Sequence, residues 1–171
     1  QGDRAIVDIL RDMGAIINRY KETLSICSSR LHAATVDASQ IPDLVPILSV
    51  VAAANRGAVF TNISRLRLKE SDRVASVIAM ISALGGKAEA TEDTLTVHGT
   101  GLRGGTVDAC NDHRIAMSAA IAATVCTEPV TILGAQCVEK SYPTFWEEYE
   151  RLSQPSPLGK VPQRAARGRG G

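Results

Sequence analysis

"AATVDASQIPDLVPILSVVAAANRGAVFTNI", residues 33–63, decides the fold, because a second version of it lies further along the chain. The tetrapeptide TVDA at 35–38 returns at 106–109, an offset of 71 residues. At the same offset Gly14 falls on Gly85, Thr23-Leu24 on Thr94-Leu95, Leu31 on Leu102, Ala52 on Ala123, Val59 on Val130 and Lys69 on Lys140. A register kept over so long a span, here read without a gap, indicates two copies of one supersecondary unit packed side by side. The copies cover about 3–69 and 74–140.

Each copy carries the same pattern. A helix comes first, "DRAIVDILRDMG" and "SDRVASVIAMISALGG", with Val74, Val77, Ile78, Ile81 and Leu84 at helical spacing. Gly14 and Gly85-Gly86 occupy the usual C-terminal stop position. Two short strands follow, "AIINRYKETLSIC" and "KAEATEDTLTVHG", with turns expected at Glu22-Thr23 and Asp93-Thr94. A third strand lies at "ATVDA" and "GTVDA". A second helix, about 41–55 and 112–124, is apolar over a broad face and should be mostly buried. The last strands are "AVFTNI" and "VTILGA". The mixture predicts an α/β (α+β) fold of helices packed on sheets, ending in a C-terminal helix over 143–153.

Composition fits that frame. Hydrophobic residues make up 44% of the 171, but aromatics only 4%, so Ala, Val, Ile and Leu must fill the core. A formal net charge of +1 argues against a general nucleic-acid binder. No apolar run approaches the roughly 18 residues of a membrane span, and no signal peptide is visible. The chain opens on "QGDRAIVDIL" without Met, which points to a fragment or a processed product. Cys27, Cys110, Cys126 and Cys137 form no CxxC pair and sit beside apolar or small residues. Buried free thiols in a reducing, cytoplasmic setting are expected, and no zinc site. Residues 154–171, "QPSPLGKVPQRAARGRGG", lose the apolar period and read as a disordered or artificially appended tail.

The duplication makes charged positions informative. Lys69 and Lys140 follow the last strand of their copies, and Asp43 and Arg114 stand near the start of the second helices. Equivalent positions in stacked units can face one edge, so these four are expected to gather at one end. Helix starts near Glu70-Ser71-Asp72 and Asn111-Asp112 would share that end, with N–H groups and dipoles that favour anions. With Arg73 added, the set suits phosphate or carboxylate. Each feature also has a plain structural reading: Ser71 or Asp72 caps one helix, Asn111 or Asp112 caps the other, and Lys69-Glu70 is a surface pair.

Four segments, "LKESDR" (68–73), "NDHRIAM" (111–117), "IPDLVP" (41–46) and "EKSYPTFWE" (139–147), together resemble the 5-enolpyruvylshikimate-3-phosphate synthase family over about residues 1–153. The resemblance implies two domains, each of three βαβαββ copies, with substrates in the cleft between them. About two of the three copies of one domain would be present, and the missing N-terminal part would be needed for a complete site. The implied reaction joins phosphoenolpyruvate to shikimate-3-phosphate through addition and elimination, releases phosphate, and uses no metal or organic cofactor. A hydroxyl loses a proton while a methylene gains one, so acid and base groups must lie close together. Two anionic substrates call for fixed cations.

Carried over by motif, Asp43 resembles the base near the shikimate hydroxyl and Glu70 the proton donor and acceptor at the methylene carbon. Lys69 resembles a shikimate-3-phosphate contact that can also serve proton transfer. Arg73, Arg114 and Lys140 resemble the cations around phosphoenolpyruvate, and His113 a polar neighbour that orients them. Arg65 stands where some members carry Asn, and a substrate contact is implied there too. Glyphosate is the family's known inhibitor. Rival readings are the sister enolpyruvyl transferase acting on UDP-N-acetylglucosamine, which uses a loop Cys as proton donor, and a non-catalytic anion-binding domain. The fragment alone is expected to be inactive.

Overall fold

A computed structural model describes residues 2–153; the expected tail at 154–171 lies outside them. The same run of elements occurs twice. In the first run a 3-10 turn at Gly2–Arg4 leads into α1 (Ala5–Asp12), then the hairpin β1 (Ile16–Tyr20) and β2 (Thr23–Cys27), then β3 (Ala34–Asp37), α2 (Val45–Ala54) and β4 (Ala58–Thr61). The second run is α3 (Arg73–Ala83), β5 (Lys87–Ala90), β6 (Thr94–His98), β7 (Gly105–Asp108), α4 (His113–Ala123) and β8 (Val130–Leu133). Each run ends in a 3-10 turn, Ser64–Leu68 and Ala135–Lys140, and α5 (Phe145–Ser153) closes the described chain.

The runs interlock through a four-stranded sheet of order β3-β4-β6-β5. Strands β3 and β4 pair in parallel, as a strand–helix–strand crossover requires. The second run's β6 then adds antiparallel to β4, pairing Phe60 with Leu95 and Ala58 with Val97. All four of those side chains are buried, Phe60 and Leu95 completely. Burial of each large one contributes roughly 1.5–3 kcal/mol. The helix α2 packs along α4 and also touches α3, so the three make one core with the sheet.

Two further sheets, β1-β2 and β7-β8, have two strands each. By the repeat, Leu24 and Ile26 of β2 correspond to Leu95 and Val97 of β6. They are 48% and 67% exposed, against 0% and 1% for their counterparts. The strand β6 lies inside the four-stranded sheet beside β4 and has α2 packed against it, whereas β2 has only β1 as a strand neighbour among the described residues.

Four expectations need correction. The turns fall at Lys21-Glu22 and Glu92-Asp93, because Thr23 and Thr94 already open strands. Glu70 precedes α3 instead of lying on its first turn; Asp72 is the cap, accepting from the N–H groups of Val74 and Ala75. The ungapped offset breaks before the last strand. Thr35 pairs with Val59, whereas its counterpart Thr106 pairs with Thr131, not Val130. A longer α4–β8 loop inserts one residue there, so Lys69 follows its 3-10 turn while Lys140 ends its own. Finally, of the four free thiols only Cys137 is buried; Cys27 and Cys110 are exposed and Cys126 is half-buried. Small or apolar neighbours in sequence do not fix burial when the strand or loop itself lies at an edge.

Candidate functional site

The charges of 65–74 converge on one side chain. Arg73 opens α3 and is 1% exposed. Its Nε donates to Asp112 Oδ2 at 2.9 Å, and Nη2 reaches Asp112 Oδ1 at 3.3 Å. Nη1 donates to Asp43 Oδ1 at 2.6 Å, and Nη2 to Glu70 Oε2 at 2.5 Å. One guanidinium thus ties three carboxylates from three parts of the chain, using the fork geometry that only Arg offers. Burial works against its charge, yet Asp112 first and then Asp43 and Glu70 outweigh that and raise its pKa further.

The cluster is placed by the fold. Asp43 lies in the short stretch between β3 and α2, where Pro42 and Ile41 are buried and hold the backbone. Glu70 and Lys69 follow the 3-10 turn after β4. Asp112 caps α4, accepting from the Arg114 N–H at 2.9 Å. Lys69 Nζ lies 3.2 Å from Asp43 Oδ1, so Asp43 meets two cations at one oxygen. Desolvation pushes the Asp43 carboxyl up, but hydrogen bonds from Arg73 and Lys69 outweigh it and hold its pKa below the ordinary value.

Three of the four residues expected to gather do so: Asp43, Lys69 and Arg114. Arg114 Nη2 stands 3.8 Å from both Asp43 Oδ2 and Asp3 Oδ2. That distance allows charge attraction but is too long for a hydrogen bond. Its Nε is buried without a hydrogen-bond partner among the described residues, so Arg114 has donors uncommitted to protein. Lys140 is exposed at the end of its turn and makes no ion pair among the described residues. His113 is half-buried at the start of α4. Arg65 is exposed and donates to Ser39 O at 3.1 Å.

Beside the cluster a cleft of about 520 Å³ is walled by Asp43, Arg65 and Lys69 on one side and by Gly2 and Asp3 on the other. The half-exposed Glu70 carboxylate and the Lys69 ammonium stand at the margin of the buried pair network. Such an arrangement offers fixed cations, an ionised carboxylate and a second carboxylate open to solvent. It can bind small anions and move protons.

Sequence reasoning assigned Asp112 no more than a cap. Its side chain is fully buried, and it anchors Arg73 instead of serving the helix alone. No local signal marks this, because its partner lies 39 residues away in sequence.

The family model for EPSP synthase (3-phosphoshikimate 1-carboxyvinyltransferase) matches residues 1–149. The 3-phosphoshikimate 1-carboxyvinyltransferase of Clostridium acetobutylicum is 48% identical over 154 residues, 89% of this chain and 36% of its own length. That of Clostridium novyi is 46% identical over 154 residues, 89% of this chain and 35% of its own. Among solved structures, EPSP synthase from Acinetobacter baumannii superposes with a TM-score of 0.74 at 30% identity, covering 86% of this chain and 38% of that one. The enolpyruvyl transferase NikO from Streptomyces tendae shares the fold at a TM-score of 0.70 and 19% identity, covering 88% of this chain and 36% of its own. The chain therefore spans little more than a third of the length of the curated relatives it matches.

Proposed function

Because this chain belongs to the EPSP synthase (3-phosphoshikimate 1-carboxyvinyltransferase) family, we propose that it supplies one wall of a site that transfers the enolpyruvyl group of phosphoenolpyruvate to shikimate-3-phosphate. Residues 1–153 act as part of one enolpyruvyl transferase domain, with the remaining length of the relatives supplying the opposite wall. The observation that carries this reading is the convergence of Asp43, Lys69, Glu70, Arg73 and Arg114 from both repeats in one ion-pair cluster, beside a cleft that Asp43 and Lys69 line.

In the addition step the acceptor hydroxyl attacks the central carbon of phosphoenolpyruvate and its proton leaves, while the methylene carbon takes up a proton. In the elimination step the methyl carbon gives that proton back and phosphate departs. Asp43, kept ionised by Arg73 and Lys69, receives the hydroxyl proton. Glu70, anchored at one oxygen and half-exposed at the other side, exchanges the proton of the methylene carbon. Lys69 stands within reach of Asp43 and of the cleft, suited to hold the acceptor's phosphate and to pass a proton. Arg114, with its uncommitted donors, binds the carboxylate or phosphate of phosphoenolpyruvate, and Lys140 and His113 add further contacts to the same substrate. Arg65 lines the same cleft and contacts substrate at its rim. Arg73 contributes its charge from beneath.

No organic cofactor or metal enters these steps. No helix among the described residues is long and apolar enough to cross a membrane. Exposed thiols at Cys27 and Cys110 fit a reducing, cytoplasmic setting. The isolated chain is inactive, because proximity and orientation require both walls.

The test uses an enzyme of the relatives' full length that carries this chain. Arg114→Ala and Lys140→Ala are each expected to raise the KM for phosphoenolpyruvate at least about tenfold, the loss of one charge-assisted contact. Unchanged KM in both would remove them from the site and the reading with them.

A further inference from the structure

We propose that Asp112 is a positioning residue for this reaction: it fixes Arg73, and through Arg73 it sets the places of Asp43 and Glu70. The inference rests on the reading that Asp43 and Glu70 move the protons. Asp112 itself cannot touch substrate, because its side chain is fully buried.

Four observations support the role. Asp112 holds Arg73 side-on, taking Nε at 2.9 Å and Nη2 at 3.3 Å, which fixes the plane of the guanidinium as well as its position. The other two nitrogen-borne bonds, to Asp43 and Glu70, therefore leave in set directions. Asp112 is itself held from two sides: by the Arg114 N–H at the start of α4 and by Ser71 Oγ, which donates to it at 3.1 Å. Ser71 is in turn fixed by Ser76 Oγ at 3.0 Å. The chain Ser76–Ser71–Asp112–Arg73 runs inward from α3 and back out to Asp43, which lines the cleft, and to the half-exposed Glu70.

A cap role and a positioning role make different demands on the side chain. Asn caps a helix as well as Asp does. Asn does not replace a carboxylate that takes two guanidinium nitrogens and a hydroxyl at once, since its amide carries donors where Asp112 has an acceptor. Asp112→Asn thus preserves α4 while releasing Arg73.

Two measurements decide. In the 171-residue chain, the Arg73 Nε–H is followed by NMR. Its hydrogen exchange is expected to accelerate at least tenfold in Asp112→Asn, while the α4 backbone amides keep their protection. In an enzyme of full length, the same variant is expected to lose about 100-fold in kcat, the scale of a 1 Å misplacement, with KM for phosphoenolpyruvate moved less than about threefold. Unchanged Nε–H exchange overturns the proposal, and so does unchanged kcat with Arg73 released. If Asp112→Asn does not fold, Ser71→Ala gives the same readouts: an Nε–H exchange rate raised about threefold supports the proposal and an unaltered one overturns it. A full-length wild type without enolpyruvyl transfer would sink the reading of function, and the exchange experiment would still judge the anchor.

Discussion

Replacing Arg73 by Met keeps most of the volume and removes the charge. The structure fixes what is left behind. Asp112, fully buried, keeps the Ser71 hydroxyl and the Arg114 N–H but loses its only counter-ion within hydrogen-bond reach among the described residues. Asp43 keeps Lys69 at 3.2 Å, and Glu70 is half-exposed and can turn to water. The cost is therefore concentrated on Asp112. Removing one partner of a buried pair costs about 3–5 kcal/mol, because a charge stays buried without compensation. Total stabilities of about 5–15 kcal/mol are usual, so the loss is a large fraction. With a urea m-value of about 2 kcal/mol/M, the unfolding midpoint should fall by about 2 M. Adding Asp112→Asn to Arg73→Met should recover part of the loss, with a coupling of about 1–3 kcal/mol. A control comes from the exposed pair Arg67–Asp72 at 3.4 Å, where Arg67→Met should cost under about 1 kcal/mol. Urea titrations of these three variants and of Asp112→Asn alone measure all of this. The reasoning is refuted if Arg73→Met costs no more than Arg67→Met, or if the double variant shows simple additivity.

Two more outcomes follow from the same structure. The Asp43 carboxyl is held below its ordinary value of 3.8, so its contribution to stability is complete above that value and disappears as pH falls through the lower folded value. Asp43→Asn should flatten this part of the acid limb in a urea-midpoint series below about pH 4, while an unchanged limb would rule out the pairing. Hydrogen exchange should separate the two hairpins. The amides of β6, covered by β4 and bearing buried Leu95 and Val97, should exchange near the global rate, and those of β2, bearing exposed Leu24 and Ile26, should exchange at least about 100-fold faster. Equal protection would contradict the role given to the covering strand.

Much of this was legible from TVDA outward, because the two copies impose the same periodicity on the same element types. The element order, the helix stop at Gly85 and the Asp72 cap all follow from local rules. The one-residue shift at β8 was not legible, since Val59 and Val130 are identical by chance while the α4–β8 loop sets the true register. The exposure of Cys27 depends on which strand covers β2, a tertiary fact that neighbours in sequence do not carry. At the site, the clustering of Asp43, Lys69 and Arg114 could be reasoned from the repeat. The burial of Arg73 could not, because four charges in the five residues 69–73 look like solvent-facing loop until Asp112 arrives from the other copy.

The central claim is that Glu70 moves the proton at the methylene carbon in a site that this chain helps to form. Phosphate release from phosphoenolpyruvate and shikimate-3-phosphate, measured in an enzyme of full length carrying this chain, tests it most directly. Glu70→Gln keeps the size and the bond to Arg73 but removes the exchangeable carboxyl proton. The account predicts a kcat about 10²–10⁴-fold lower, the usual worth of a general acid or base, with substrate binding nearly intact. A Glu70→Gln enzyme that releases phosphate within about threefold of the wild-type rate would contradict it.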